Sequence, residues 1–195
     1  MTSDILFELL PDEIKEHFAN GGTAMDLDDS VRISNYLEYL DEGADRTVYA
    51  LNSDFVVKFE TTNADQSLVE FDMYQEYQDE NIITKIYSTY ELAEKGVIFA
   101  ERVTPMREFL RWTLGDRKDK RDWYLTDYFD DFSADEESLS SVYEYLWDEL
   151  DKDVIEELTS FVGSVEMFGL NDMHVDNIGV NRHGKFLALD AGFGH

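Results

Sequence analysis

The sequence predicts an α+β protein in two parts. A mostly β first hundred residues is followed by a mostly helical remainder that closes on a short hairpin. Three observations carry this. The 195-residue chain is 43% apolar and 14% aromatic with only 2 prolines, enough to fill a core in one or two small domains rather than an acidic disordered tail. Up to about residue 100, short runs rich in Val, Ile, Phe and Tyr alternate with turn residues. From residue 106 onward apolar residues recur at helical spacing, and strand-like runs return only near the end. No internal repeat or Gly/Ser linker interrupts the chain.

The elements follow in order. Ile5, Leu6, Leu9, Leu10, Ile14 and Phe18 make a helical pattern over 5–19. Pro11 predicts the start of a second short helix, with Asp12 and Glu13 in its favourable first turn, and Asn20-Gly21-Gly22 ends it. Strands are predicted over 33–40, 47–51 and 55–59, the last two joined by a turn at Asn52-Ser53-Asp54. A helix follows over 64–78, then strands over 82–90 and 96–100. Helices are predicted over 106–114, 136–150 and 151–168. Val154, Leu158, Phe161, Val162, Val165 and Phe168 give the last an apolar stripe, and Gly169 stops it. Strands at 178–180 and 186–189, turning through Asn181-Arg182-His183-Gly184, complete the chain.

Composition excludes several functions. With 44 acidic and 16 basic side chains the net charge is -28, so nucleic acid and anionic membranes are repelled over the whole surface. A basic protein partner, mimicry of a nucleic-acid backbone and a high-salt habitat all remain compatible with that charge. The absence of cysteine removes disulfides, thiolate zinc sites and a cysteine nucleophile, and fits a reducing compartment. No run approaches the roughly 18 apolar residues of a membrane span. Met1-Thr2-Ser3-Asp4 lacks a signal-peptide pattern, so a cytoplasmic location is expected, that of a host if the protein is viral. The charge is uneven. Asp127 to Glu157 holds 13 acidic residues against Lys152 alone, whereas Lys95 to Trp123 holds 8 basic against 5 acidic. The acidic run reads as a solvated surface or as a docking surface for a basic partner.

The last 26 residues carry the chemistry. Asp172 is followed by Asn177 five residues later and by Asp190 thirteen beyond that. The last two stand at the two ends of the predicted hairpin, which brings them together. Magnesium takes hard oxygen ligands of this kind, a few from protein and the rest from phosphates and water. A further carboxylate beside them could accept a proton from an attacking hydroxyl. Two carboxylates also serve glycosidases, but the lysine, the asparagine and the order of motifs disfavour that chemistry.

This stretch resembles the catalytic loop and metal-binding turn of the protein-kinase-like superfamily. The resemblance implies Asp172 as catalytic base and Asn177 and Asp190 as Mg²⁺ ligands. Asp190-Ala191-Gly192 matches the Asp-Phe-Gly turn with Ala191 for Phe, and Gly192 supports the turn. Leu170-Asn171 replaces the usual His-Arg. With His174 two after the aspartate, in a supporting role, the loop looks more like the aminoglycoside and choline kinase branch. Upstream, Gly43-Ala44-Asp45-Arg46-Thr47-Val48-Tyr49 resembles the phosphate-covering loop with one glycine of three, which implies nucleotide contacts for Gly43 and Arg46. Lys58, ending a Val-Val-Lys strand, matches the phosphate-binding lysine. Glu70 matches its partner on the following helix, with Glu76 as the alternative. Phe99-Ala100-Glu101-Arg102-Val103 resembles the hinge, whose backbone at Glu101 and Val103 would meet an adenine edge.

The resemblance spans roughly residues 36–195. It implies a kinase-like two-lobed fold: an N-terminal extension over 1–30, an N-lobe with a twisted antiparallel sheet over 31–103, and a minimal helical C-lobe over 104–195. The sequence ends three residues after Gly192, which predicts a C-lobe truncated just after the metal-binding turn, its exposed face covered by the extension or by a second copy of the chain. Two functions follow. One is a minimal phosphotransferase that uses Mg-ATP to phosphorylate a hydroxyl, with a basic protein as acceptor. The other is a non-catalytic relative, a pseudokinase, inhibitor or nucleic-acid mimic whose acidic face blocks a basic site on a partner protein, of a kind a virus would make.

Overall fold

The computed structural model describes residues 1–27, 33–43, 45–62, 65–114, 150–168 and 177–189. The chain divides into two compact units, one made of residues 1–78 and 85–102, the other of residues 79–84 and 103–195.

The first unit is built on a four-stranded antiparallel sheet in the order β1 (Glu38–Glu42), β2 (Arg46–Ala50), β3 (Phe55–Glu60), β4 (Val97–Glu101). Strand alternation divides its side chains between two faces. Tyr49, Val57, Phe59, Val97 and Phe99 share one core with Leu6, Leu10, Ile14 and Phe18 of the N-terminal segment, which holds helices α1 (Ser3–Phe7) and α2 (Asp12–Ala19). The helical pattern over 5–19 is two helices, and the second starts at Pro11 as predicted, with the proline at the N-cap of α2. The opposite face carries Val56, Ile98 and Ala100. Leu68, Phe71 and Tyr74 of α3 (Gln66–Tyr77) pack against it, with Ile86 and Ala93.

Two predicted strands resolve differently. Over 33–40, the Leu37 N–H donates to the Ile33 carbonyl at 2.9 Å, forming a helical turn, and pairing starts only at Glu38. Ile33 and Leu37 are four apart and both enter the core, so helical spacing wins there. Over 82–90 the chain makes only isolated bridges, Ile83 with Ala188 and Ile86 with Ala100. The Ser88 hydroxyl stands in for ladder bonds along β4, donating to the Val97 carbonyl at 3.1 Å and accepting from the Phe99 N–H at 2.7 Å. Thr89 then caps a short helix that the periodicity did not signal, α4 (Tyr90–Glu94).

The second unit contains a three-stranded sheet in the order β5 (Thr104–Pro105), β6 (Ile178–Val180), β7 (Phe186–Ala188), with helices α5 (Met106–Leu114) and α6 (Lys152–Phe168). The predicted stripe of α6 buries Leu158, Phe161, Val162 and Val165, joined by Ile155. The Phe186 ring meets Phe109 edge-on at 5.8 Å between centroids and Phe161 at 6.4 Å. The β6–β7 turn matches its prediction. Asn181 Oδ1 accepts from the His183 and Lys185 N–H groups, and Gly184 takes φ +79°, which a side chain would disfavour. The predicted helix over 136–150, apart from Leu150, and its acidic run up to residue 149 lie outside the described residues, as does Gly169. No helix among the described residues is long and apolar enough to cross a membrane.

Candidate functional site

The candidate site begins with strand register. Arg46 pairs with Glu60 across β2 and β3, and Val48 pairs with Lys58. Alternation therefore sets Arg46, Lys58 and Glu60 on the face that α3 covers. On α3, Ser67, Glu70 and Met73 form a buried row three residues apart, so the Glu70 side chain is directed into the sheet. Lys58 Nζ donates to Glu70 Oε1 at 2.6 Å, and the Arg46 guanidinium Nη1 donates to Glu70 Oε2. All three side chains are nearly buried, Lys58 10%, Arg46 7% and Glu70 6% exposed. One carboxylate thus holds two cations, one on each oxygen. Glu76, the alternative partner for the lysine, is exposed on the last turn of α3. There it accepts a hydrogen bond from Tyr77, whose phenol is pushed up by partial desolvation first and by Glu76 second.

The first turn of α3 is held to the same strand. Asp65, at the N-cap, adopts a left-handed backbone (φ 54°) and its side chain caps nothing. Glu60 supplies the acceptor instead, with Oε1 taking the Gln66 N–H at 2.6 Å. The strand segment Lys58-Phe59-Glu60 therefore grips α3 at two points, its N-terminus and Glu70. Glu60 was invisible to sequence reasoning because this cap comes from a neighbouring strand rather than from the residue before the helix.

The remaining predicted residues fall as follows. Gly43 is exposed in the β1–β2 turn, where its N–H donates to the Arg46 carbonyl at 2.8 Å. Glu101 ends β4, half-buried, with its N–H given to the Lys85 carbonyl at 2.9 Å. Val103 is half-buried in the other unit, where its Cγ2 lies 2.6 Å from where a side chain on Gly179 would begin. Asn177, half-buried, precedes β6, and its carbonyl accepts from the Leu189 N–H at 2.8 Å. That bond ties the ends of the hairpin together, one residue before Asp190 in the sequence. Asp172, His174, Asp190 and Gly192 lie outside the described residues. Among the described residues no three His, Cys, Asp or Glu gather as a metal site. The side chains that the sequence suggests as donors, the Asn177 carboxamide and the Asp190 carboxylate, are of the hard-oxygen type that suits magnesium.

No protein-family model matches this chain, and no curated protein does. Among solved structures it is similar to APH(2'')-IIa in a ternary complex with streptomycin and ATP, at 15% identity and TM-score 0.37, covering 94% of this chain and 72% of that one. It is similar also to the aminoglycoside phosphotransferase APH(2'')-Ib bound to ADP, at 14% identity and TM-score 0.35, with the same coverage. A third is APH(2'')-IIia with GDP and kanamycin, at 14% identity and TM-score 0.32, covering 80% of this chain and 67% of that one. The architecture here is α+β, with an antiparallel N-terminal sheet, a lysine strand followed by a glutamate helix, and helices with a hairpin after them.

Proposed function

We propose that this protein is a nucleotide-dependent phosphotransferase that binds Mg-ATP and phosphorylates a hydroxyl on a basic protein. The observation that carries the reading is the buried ion pair between Lys58 on β3 and Glu70 on α3. Such a pair is poorly explained by stability alone, because desolvating two charges offsets much of their attraction. A lysine fixed in this way is suited to orienting phosphate oxygens without moving during the reaction. Asn177 and Asp190 would hold magnesium, which supplies charge neutralisation at the phosphates. The Asp172 carboxylate accepts the proton of the acceptor hydroxyl. The net charge of -28 favours a basic acceptor surface.

The same acidity supports a second reading, a non-catalytic binder that occupies a basic site on another protein. The exposed residues Glu38, Asp41 and Glu42 on the edge strand β1 belong to such a surface. One titration separates the two. ATP is added to the full chain in a calorimeter with and without excess Mg²⁺, beside Lys58→Ala. The phosphotransferase reading expects magnesium-dependent binding that weakens at least about tenfold in the variant. A folded protein that binds no millimolar nucleotide overturns it and leaves the binder.

A further inference from the structure

The lysine–glutamate pair has a third member that the phosphate-site chemistry does not require. Arg46 opens β2, twelve residues before Lys58, and shares its sheet face. The guanidinium is buried against Glu70 Oε2, while Lys58 takes Oε1. A guanidinium stays protonated throughout the accessible pH range, so this contact is permanently charge-assisted. Each oxygen of the carboxylate therefore has its own cation. Arg46 also fixes the second oxygen of Glu70, which stops the carboxylate turning away from the sheet.

We infer that Arg46 is a positioning residue for the phosphate site: by occupying Oε2 of Glu70 it holds that carboxylate on the sheet, with Oε1 set against Lys58, so that the lysine is fixed where it meets a nucleotide phosphate. The inference rests on the nucleotide-binding reading above. It differs from assigning Arg46 to the nucleotide directly, since the arginine acts through Glu70. It also implies that the lysine–glutamate pair is assembled before nucleotide arrives, with no separate event needed to bring α3 onto the sheet. Glu60, at the first turn of the same helix, supports this arrangement from the other end.

A double-mutant cycle separates action through Glu70 from direct contact. Binding of ATP, ADP and adenosine is measured for the wild type, Arg46→Gln, Glu70→Gln and the double variant, with folding checked by circular dichroism. Arg46→Gln is expected to weaken ATP and ADP about tenfold and adenosine hardly at all, and in the Glu70→Gln background to add less than about twofold. A full tenfold loss in that background means that Arg46 touches phosphate itself, and overturns the inference. So does unchanged ATP binding in Arg46→Gln. Should Arg46→Gln fail to fold, Arg46→Lys carries the same cycle, with a loss in the Glu70 background only.

Amide exchange over Gln66–Tyr77 in the same four proteins keeps the two readings apart. If the wild type binds no nucleotide, the phosphotransferase reading fails by itself. Faster exchange in Arg46→Gln and Glu70→Gln, with no further gain in the double variant, then still upholds Arg46 as the residue that holds Glu70. Exchange unchanged in Arg46→Gln rejects that role.

Discussion

The two units bury different kinds of side chain. In the first, Arg46, Lys58, Glu60 and Glu70 are all buried around one sheet face and one helix. In the second, no charged side chain is buried among the described residues. Its core is Met106, Leu110, Leu158, Phe161, Phe186 and their apolar neighbours, with Thr84 as the buried polar exception. The Thr84 hydroxyl is satisfied by the Ala188 carbonyl at 2.9 Å. An apolar core gains stability from area and packing, and tolerates exchange among residues of similar volume. A buried charge network gains little net stability but enforces one arrangement of its members. Geometry therefore matters most in the first unit, where the buried charges hold α3 at a set position against β3.

The largest expected effect tests that contrast directly. Glu70→Ala leaves two buried cations facing each other, and should cost about 3–5 kcal/mol in a denaturant titration. Replacing the whole set in one variant, Arg46→Met with Lys58→Met and Glu70→Leu, should restore stability close to that of the parent while abolishing nucleotide binding. A triple variant as unstable as Glu70→Ala would mean that the network is structural and would erase the distinction between the units.

A smaller effect is expected behind the network. Gly96 has φ +76°, and a Cβ there would lie 2.9 Å from the Glu60 Cβ and 3.1 Å from the Ala24 Cβ. Gly96→Ala should lose about 1–3 kcal/mol from backbone strain. It should also loosen the cap that Glu60 gives α3, read as faster amide exchange at Gln66 and the next residues. Loss of stability with α3 exchange unchanged would detach Glu60 from the positioning of the helix.

The smallest effect lies at the surface of the first unit, away from the network. The hydroxyl and then the N–H of Thr23 hold the Asp26 carboxyl below the usual aspartate range. A carboxylate depressed in the folded state adds stability above its unfolded value and loses it as pH falls through its folded value. Asp26→Asn should therefore melt slightly below the parent at neutral pH, and the gap should close in acid. A gap that is constant with pH would assign the loss to packing rather than charge.

Most of the elements, the strand that carries Lys58, the helix that carries Glu70 and the apolar stripe of α6 were legible in the amino-acid sequence, whereas the strand expected over 82–90 and the short helix α4 were not. The legible ones are local patterns with periods of two or 3.6 residues, read without knowing what packs on them. The sequence misread 33–37, where two apolar residues four apart could serve a strand run or a helical turn, and the core contact chose the turn. It also left Glu70 and Glu76 as alternatives, because spacing along a helix does not say which face meets a sheet. Packing of α3 on the sheet selects Glu70, in the buried row with Ser67 and Met73, as the residue that meets the lysine. It also adds Arg46 and Glu60 as partners of the same helix. Those two contacts depend on the pairing of Arg46 with Glu60 and on how α3 lies across the strands. Both are set by packing between segments well separated in the chain, which no local pattern encodes.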